Sequence, residues 1–253
     1  MSRIAEKFKK GKALITFITA GDPDLSTTEA LIFELEKRGA DIIELGIPFS
    51  DSIADGPTIQ SAYQRALKTT AADVLGLVNK IREKSELPIV LMGSYNLIYN
   101  YGIEKFFEEA AKARVDGVIA PDLPPEEARE LREQAKKHKV DLIFLVAPTS
   151  TPERIKLAAE ASTGFIYLIS LLGITGARAE LSSTVQDSLK KIRKYTAKPV
   201  AVGFGISTPE QARAIAEYAD GVIVGSAIVD IIAKNLGKPD LVKKVGDFIE
   251  SLM

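Results

Sequence analysis

The chain has 253 residues, 46% of them hydrophobic and 26% charged, with a formal net charge of −1. That length and balance fit a single α/β domain spanning 1–253, and the absence of a basic block argues against a nucleic-acid partner. There is no cysteine and His138 is the only histidine, which excludes disulfides, thiolate metal sites, a cysteine nucleophile, histidine triads and multi-histidine metal centres. Acid–base chemistry must therefore fall on Glu, Asp, Lys or Tyr. No apolar run is long enough to span a membrane and the first residues do not read as a secretory signal, so a cytoplasmic location is expected.

Short apolar runs recur along the chain, each followed by a helical pattern. The predicted strands are Ala13–Thr19, Asp41–Ile47, Pro88–Gly93, Gly117–Ala120, Asp141–Val146, Phe165–Ser170, Pro199–Gly203 and Gly221–Gly225. They are rich in Ile, Val and Leu without period-two alternation, as strands buried on both faces of a parallel sheet are. Between them the amphipathic pattern predicts helices over Thr27–Arg38, Ala71–Lys84, Ile103–Ala113, Pro125–Lys137, Pro152–Ala161, Thr184–Tyr195 and Pro209–Tyr218, with a closing helix over Asp240–Leu252. Helix starts are signalled at Ser26-Thr-Thr-Glu29, Thr151-Pro-Glu153 and Ser207-Thr-Pro-Glu210. His138, inside Lys136-Lys-His-Lys139, reads as an exposed helix end. Three return turns place an acid at the opening of the next strand, at Asp41, Asp116 and Asp220.

Eight such repeats predict an α/β fold, a single (β/α)8 TIM barrel with extra helices at the N-terminus and after the eighth strand. An open doubly wound sheet is the alternative. It would carry Gly-x-Gly-x-x-Gly after the first strand, where this chain has Thr19-Ala-Gly-Asp-Pro23.

In such a barrel the chemistry lies at the carboxyl ends of the strands. Glu44 interrupts the apolar run Asp41–Ile47. A buried carboxylate is costly unless paired or protonated, and a raised pKa would let Glu44 exchange a proton near neutral pH; a solvated acid at a partly exposed strand end is the alternative. Asp51 and Asp55 sit in the loop that follows. Asp122 and Tyr167 complete the ionisable set, and Asp122 reads as a cap for the helix after it. Gly203-Phe-Gly205 and Gly225-Ser226 end the last two strands. Backbone N–H groups there, together with a short helix opening at Ser226, suit a phosphate group, although tight turns alone would explain the glycines. The stretch Ser170-Leu-Leu-Gly-Ile-Thr-Gly-Ala-Arg-Ala-Glu180 reads as a lid hinged at Gly173 and Gly176, with an ordinary surface loop as the alternative.

Phe17-Ile-Thr-Ala-Gly-Asp-Pro23, Glu44-Leu-Gly-Ile-Pro-Phe-Ser-Asp51, Ala54-Asp-Gly-Pro-Thr-Ile-Gln60, Gly173-Ile-Thr-Gly-Ala177, Gly203-Phe-Gly-Ile-Ser207 and Gly225-Ser-Ala-Ile-Val229 together resemble the tryptophan synthase alpha chain family. The resemblance implies a retro-aldol lyase that cleaves indole-3-glycerol phosphate to indole and glyceraldehyde 3-phosphate. It gives Glu44 the acid–base role and has Asp55 accept a hydrogen bond from the indole N–H. Phe17, Tyr167, Phe204 and Ile223 would line the pocket. Gly176, Gly205, Gly225 and Ser226 would hold the phosphate, and Thr175 would meet Asp55 on closure. It further implies no metal and no cofactor in this chain. Pyridoxal phosphate is expected only in a partner beta chain, within a hetero-oligomer of α2β2 type that docks around Pro48, Phe49, Ser50, Asp51 and Asn96. The chain departs from the family pattern at Ser52, often proline, at Ser94, usually tyrosine, at Leu97, often proline, and at Leu171, often polar. These departures are expected to leave Glu44 and Asp55 untouched.

A sugar-phosphate isomerase on the same barrel, and a phosphate-binding activator subunit with little catalysis of its own, are the competing readings.

Overall fold

The structure is a computed structural model that describes residues 2–169, 178–203 and 205–252, with backbone only for 178–183. The chain opens with α1 (Arg3–Lys10), β1 (Ala13–Thr19), α2 (Leu25–Lys37), β2 (Ile42–Gly46), α3 (Pro57–Ala66), α4 (Ala71–Ile81) and β3 (Ile89–Met92). It continues with α5 (Tyr95–Tyr101), α6 (Ile103–Lys112), β4 (Gly117–Ile119), α7 (Arg129–His138), β5 (Asp141–Leu142) and β6 (Leu145–Val146). Then come α8 (Pro152–Ala161), β7 (Ile166–Ile169), α9 (Arg178–Arg193), β8 (Val200–Gly203), α10 (Pro209–Ala216), β9 (Gly221–Val224), α11 (Ser226–Lys234) and α12 (Leu241–Leu252).

All described strand pairs are parallel, and the sheet order is β5-β4-β3-β2-β1-β9-β8-β7-β6. The outermost strands, β5 and β6, are two ends of one continuous segment, the predicted strand Asp141–Val146. Between them the Ile143 N–H donates to Val118 O at 3.1 Å on one side. The Tyr167 N–H donates to Phe144 O at 3.1 Å on the other. The sheet is thus closed on itself, and the eight predicted strands form the barrel.

The missing alternation has a structural cause. Ala13, Ile15 and Phe17 of β1, Val90 and Met92 of β3 and Ile223 of β9 belong to an interior cluster. Ile18, Ile43, Leu91, Val202 and Val224 pack outward under the helices. Period two is present in direction but invisible in hydropathy, because both faces are dry. The amino-terminal mouth is plugged by α1. Ile4 joins the interior cluster, and the Phe8 ring lies 5.6 Å from that of Phe165.

The acids at the return turns share one task. Asp41 accepts from the Leu14 N–H at 3.0 Å, Asp116 from the Ile89 N–H at 2.8 Å, and Asp220 from the Val200 N–H at 2.8 Å. Each carboxylate, at the opening of one strand, holds the start of the neighbouring strand. It satisfies a backbone donor that the ladder leaves over at its end.

Several expectations are corrected. Helices α3 and α5 are additions to the predicted set. Helix α2 is capped by Asp24, whose carboxylate accepts from the Thr27 N–H at 2.7 Å, rather than within Ser26–Glu29. Helix α9 starts at Arg178, so the last residues of the predicted lid belong to a helix, while Ser170, Leu171, Gly173, Thr175 and Gly176 lie outside the described residues. His138 does close α7 but is half-buried. No helix of the described residues is long and apolar enough to cross a membrane.

Candidate active site

Strand β2 carries Glu44 in register between Phe17 of β1 and Val90 of β3, and its side chain points into the barrel. The residue is 1% exposed, and its Oε2 has no hydrogen-bond partner among the described residues. Burial pushes the carboxyl up to about 8, helped by the nearby negative charge of Asp55. No cation among the described residues offsets the desolvation, so the acid resolves its burial by holding its proton.

Asp55 sits in the loop between β2 and α3 and is half-buried. Burial raises its pKa, the Ser52 hydroxyl lowers it by donating to Oδ2, and the charge of Asp122 raises it. The loop is closed by one amide, because Gln60 Nε2 donates to both Ser52 O and Asp55 O at 2.9 Å. Helix α3, which carries Gln60, is fastened in turn by Arg65. Its guanidinium makes two bonds, of 2.8 and 2.7 Å, to the buried carboxylate of Asp22 after β1. The expectation that Ser52 leaves Asp55 untouched is therefore wrong.

Phe17, Tyr167 and Ile223 are buried in the interior cluster that surrounds Glu44. The sequence reading missed Tyr63, which α3 brings into the same cluster. Both phenols are pushed well above 10, first by burial and then by the charges of Glu44 and Asp55. They are neutral donors at any ordinary pH. The signal for Tyr63 was available: Ile59, Ala62, Tyr63 and Ala66 have helical spacing after Gly56-Pro57, an N-terminal pattern.

Glycines at the strand ends make room for these rings. A Cβ on Gly46 would stand 2.7 Å from Phe17 Cζ and 2.9 Å from Tyr63 Oη, and one on Gly203 would stand 2.5 Å from Tyr167 Oη. Gly46→Ala is expected to destabilise the fold by about 1–3 kcal/mol through overpacking. Gly56→Ala, whose Cβ meets nothing within 4 Å, should cost less than about 1 kcal/mol. Parallel urea melts of the two variants check this.

On the other side of the mouth, Gly205 follows β8 with φ +75°, and Gly225 and Ser226 follow the adjacent β9. Gly225 is the N-cap of α11 and contributes no side-chain acceptor, so the first-turn N–H groups of that helix keep their capacity for an anion. Phe204, Thr175 and Gly176 lie outside the described residues. Asp122 does not cap the helix after it. It accepts from the Tyr95 N–H at 2.8 Å and from the Ser94 hydroxyl, capping α5 across the barrel top. Of the expected docking residues, Pro48 is buried, Phe49 half-buried, and Ser50, Asp51 and Asn96 exposed.

A protonated interior carboxyl, a second acid above it and anion-ready turns on the last two strands define an acid–base enzyme of the β/α barrel class. The family model described as "Tryptophan synthase alpha chain" matches residues 4–250. Relatives of that name from Thermoanaerobacter sp. and Geotalea uraniireducens are 50% and 51% identical over 259 residues, covering all of this chain and 98% and 97% of theirs. The crystal structure of tryptophan synthase subunit alpha from Legionella pneumophila superposes with a TM-score of 0.92 at 39% identity, covering 100% of this chain and 97% of that one. A chain from the tryptophan synthase α2β2 complex of Pyrococcus furiosus does so at 0.88 and 41%, covering 96% and 98%. The chain belongs to the tryptophan synthase alpha chain family, the lyases that cleave indole-3-glycerol phosphate in tryptophan biosynthesis.

Proposed function

We propose that this chain cleaves indole-3-glycerol phosphate to indole and glyceraldehyde 3-phosphate, with Glu44 as the acid and then the base and Asp55 as the partner of the indole nitrogen. The observation that carries this reading is the state of Glu44: buried, without a hydrogen-bond partner on Oε2 among the described residues, and pushed up to about 8. At neutral pH it enters the reaction with a proton to give.

That proton goes to the ring carbon bearing the glycerol chain, and the ring becomes cationic at nitrogen. Asp55 answers the charge from the loop after β2, as a fixed acceptor whose interaction is stronger in the transition state than in the ground state. The Glu44 carboxylate then takes the proton of the adjacent glycerol hydroxyl. The carbon–carbon bond breaks, its electron pair restores the aromatic ring, and the hydroxyl carbon becomes the aldehyde. Glu44 ends as it began, with its proton. Phe17, Tyr167 and Ile223 form the indole wall, with Tyr63 beside them. Gly205, Gly225 and Ser226, joined by Gly176, bind the phosphate; Phe204 belongs to the pocket wall, and Thr175 meets Asp55 on closure. The scheme assigns this chain no cofactor, and pyridoxal phosphate belongs to the partner.

The partner is a tryptophan synthase beta chain in an α2β2 assembly, acting in the cytoplasm. The docking face runs from Phe49, Ser50 and Asp51 to Asn96, and two exposed apolar side chains, Ile53 and Tyr99, lie on the same two segments. Pro48 supports that face from beneath.

The test is indole release from indole-3-glycerol phosphate, with and without a beta chain. Asp55→Asn removes the charge but keeps the shape, and kcat is expected to fall by about a hundredfold. A wild type that releases no indole yet activates a beta chain as well as Asp55→Asn does would reduce the chain to a binding subunit.

A further inference from the structure

Among the described residues Asp55 has one hydrogen bond to a side chain, and it comes from a residue that the family pattern does not lead one to expect. The Ser52 hydroxyl donates to Oδ2, while Oδ1 receives no hydrogen bond from a described residue. The backbones of the same two residues are tied by the single amide of Gln60. Ser52 and Asp55 are therefore joined through both side chain and backbone. A proline at position 52 would have no hydroxyl to give.

We propose that Ser52 is a positioning residue for the lyase reaction, its hydroxyl clamping one oxygen of Asp55 so that the other faces the indole N–H. This rests on the reading of Asp55 given above. The clamp fixes the carboxylate rotamer before substrate arrives, which removes an ordering cost from the catalytic step. It also bears on charge. Asp55 is faced by Glu44 from β2, Tyr63 from α3, Asp122 from the loop after β4 and Tyr167 from β7. None of these is a cation. Burial and Asp122 push its pKa up, and Ser52 pulls it down. Without the hydroxyl, Asp55 takes up its proton at a higher pH and loses the charge that steadies the indole cation.

The experiment compares wild type, Ser52→Ala, Ser52→Thr and Asp55→Asn for kcat, KM and the pH profile of indole release, each with a beta chain present. Ser52→Ala is expected to lower kcat by about tenfold. KM should change by less than about threefold, and the acidic limb of kcat should move to higher pH. Ser52→Thr keeps a hydroxyl and should restore both rate and limb. If Ser52→Ala matches wild type in rate and acidic limb while Asp55→Asn is defective, the clamp is wrong and the lyase assignment stands. The clamp is equally overturned if Ser52→Thr is as impaired as Ser52→Ala, because the loss then follows shape and not the hydroxyl. If Asp55→Asn is fully active, the role of Asp55 falls and that of Ser52 falls with it.

Discussion

Glu44→Gln is expected to reduce indole release by at least about a hundredfold and, in the same protein, to raise the resistance of the fold to unfolding above pH 5. The two effects have one origin. In the unfolded chain the Glu44 carboxyl returns to its ordinary value of 4.5, whereas in the barrel it sits at about 8. Between those values the folded state binds a proton that the unfolded state does not. Stability therefore falls as pH rises from 4.5 to 8, and it levels off above 8. The slope is about 1.4 kcal/mol per pH unit, so the cost of keeping the acid is roughly 3 kcal/mol at pH 7 and approaches about 5 kcal/mol at pH 8. Glutamine carries no such proton. Its burial adds an offset that does not vary with pH, so the informative quantity is the difference in unfolding free energy, variant minus wild type, followed from pH 4 to 9. That difference should climb through the window and then flatten. Parallel stability curves would mean that Glu44 ionises normally, and the acid–base role would go with its raised pKa.

The conflict between Glu44 and stability also explains why the sequence was readable at this point. A lone carboxylate in a dry strand breaks the local pattern without any gain for the fold, and such breaks mark function. The barrel itself was legible for the same reason in reverse, because eight apolar runs with helical connections leave few other solutions. What was hidden depended on contacts between segments. Ser52 was expected to leave Asp55 untouched, and only the folded loop turns its hydroxyl onto that carboxylate. Asp122 sits just ahead of a helix and reads as its cap, yet it caps α5 from the neighbouring repeat. Tyr63 was missed because the predicted set held no helix over Pro57–Ala66, where Gly56 and Pro57 open α3. The glycines of Gly203 and Gly225 were read for what their N–H groups could bind. Their missing Cβ atoms are equally filled, by Tyr167 and Phe17.

The return-turn acids were noticed as punctuation and proved to be fasteners, and they differ in a way that sets a second large effect. Asp41 and Asp220 do the same backbone task as Asp116, but their side chains are 32% and 34% exposed against 4% for Asp116. Water can take over at the first two. Alanine there should cost about 1 kcal/mol, the usual net value of one hydrogen bond. Asp116 is different because of Arg82, whose side chain is 3% exposed and lies 2.7 Å from its carboxylate. Burial pushes that guanidinium down to about 10, against the pull of Asp116, so it is still charged at neutral pH. Arg82 also donates to Leu87 O at 2.6 Å and to Arg114 O at 3.0 Å, which fixes it in place, and Arg3 binds the second oxygen of Asp116 at 2.6 Å. Asp116→Ala would strand a buried positive charge and an unpaired Ile89 N–H together. The expected loss is about 3–5 kcal/mol, several times that of Asp41→Ala or Asp220→Ala. Adding Arg82→Met should recover part of it, since the stranded charge and not the missing bond dominates the loss. Urea unfolding of the three single variants and the double variant decides the matter. Equal losses at all three acids would make the backbone bond the common cause. A double variant less stable than Asp116→Ala would show that Arg82 supports the β3–β4 junction through its carbonyl contacts rather than through the ion pair.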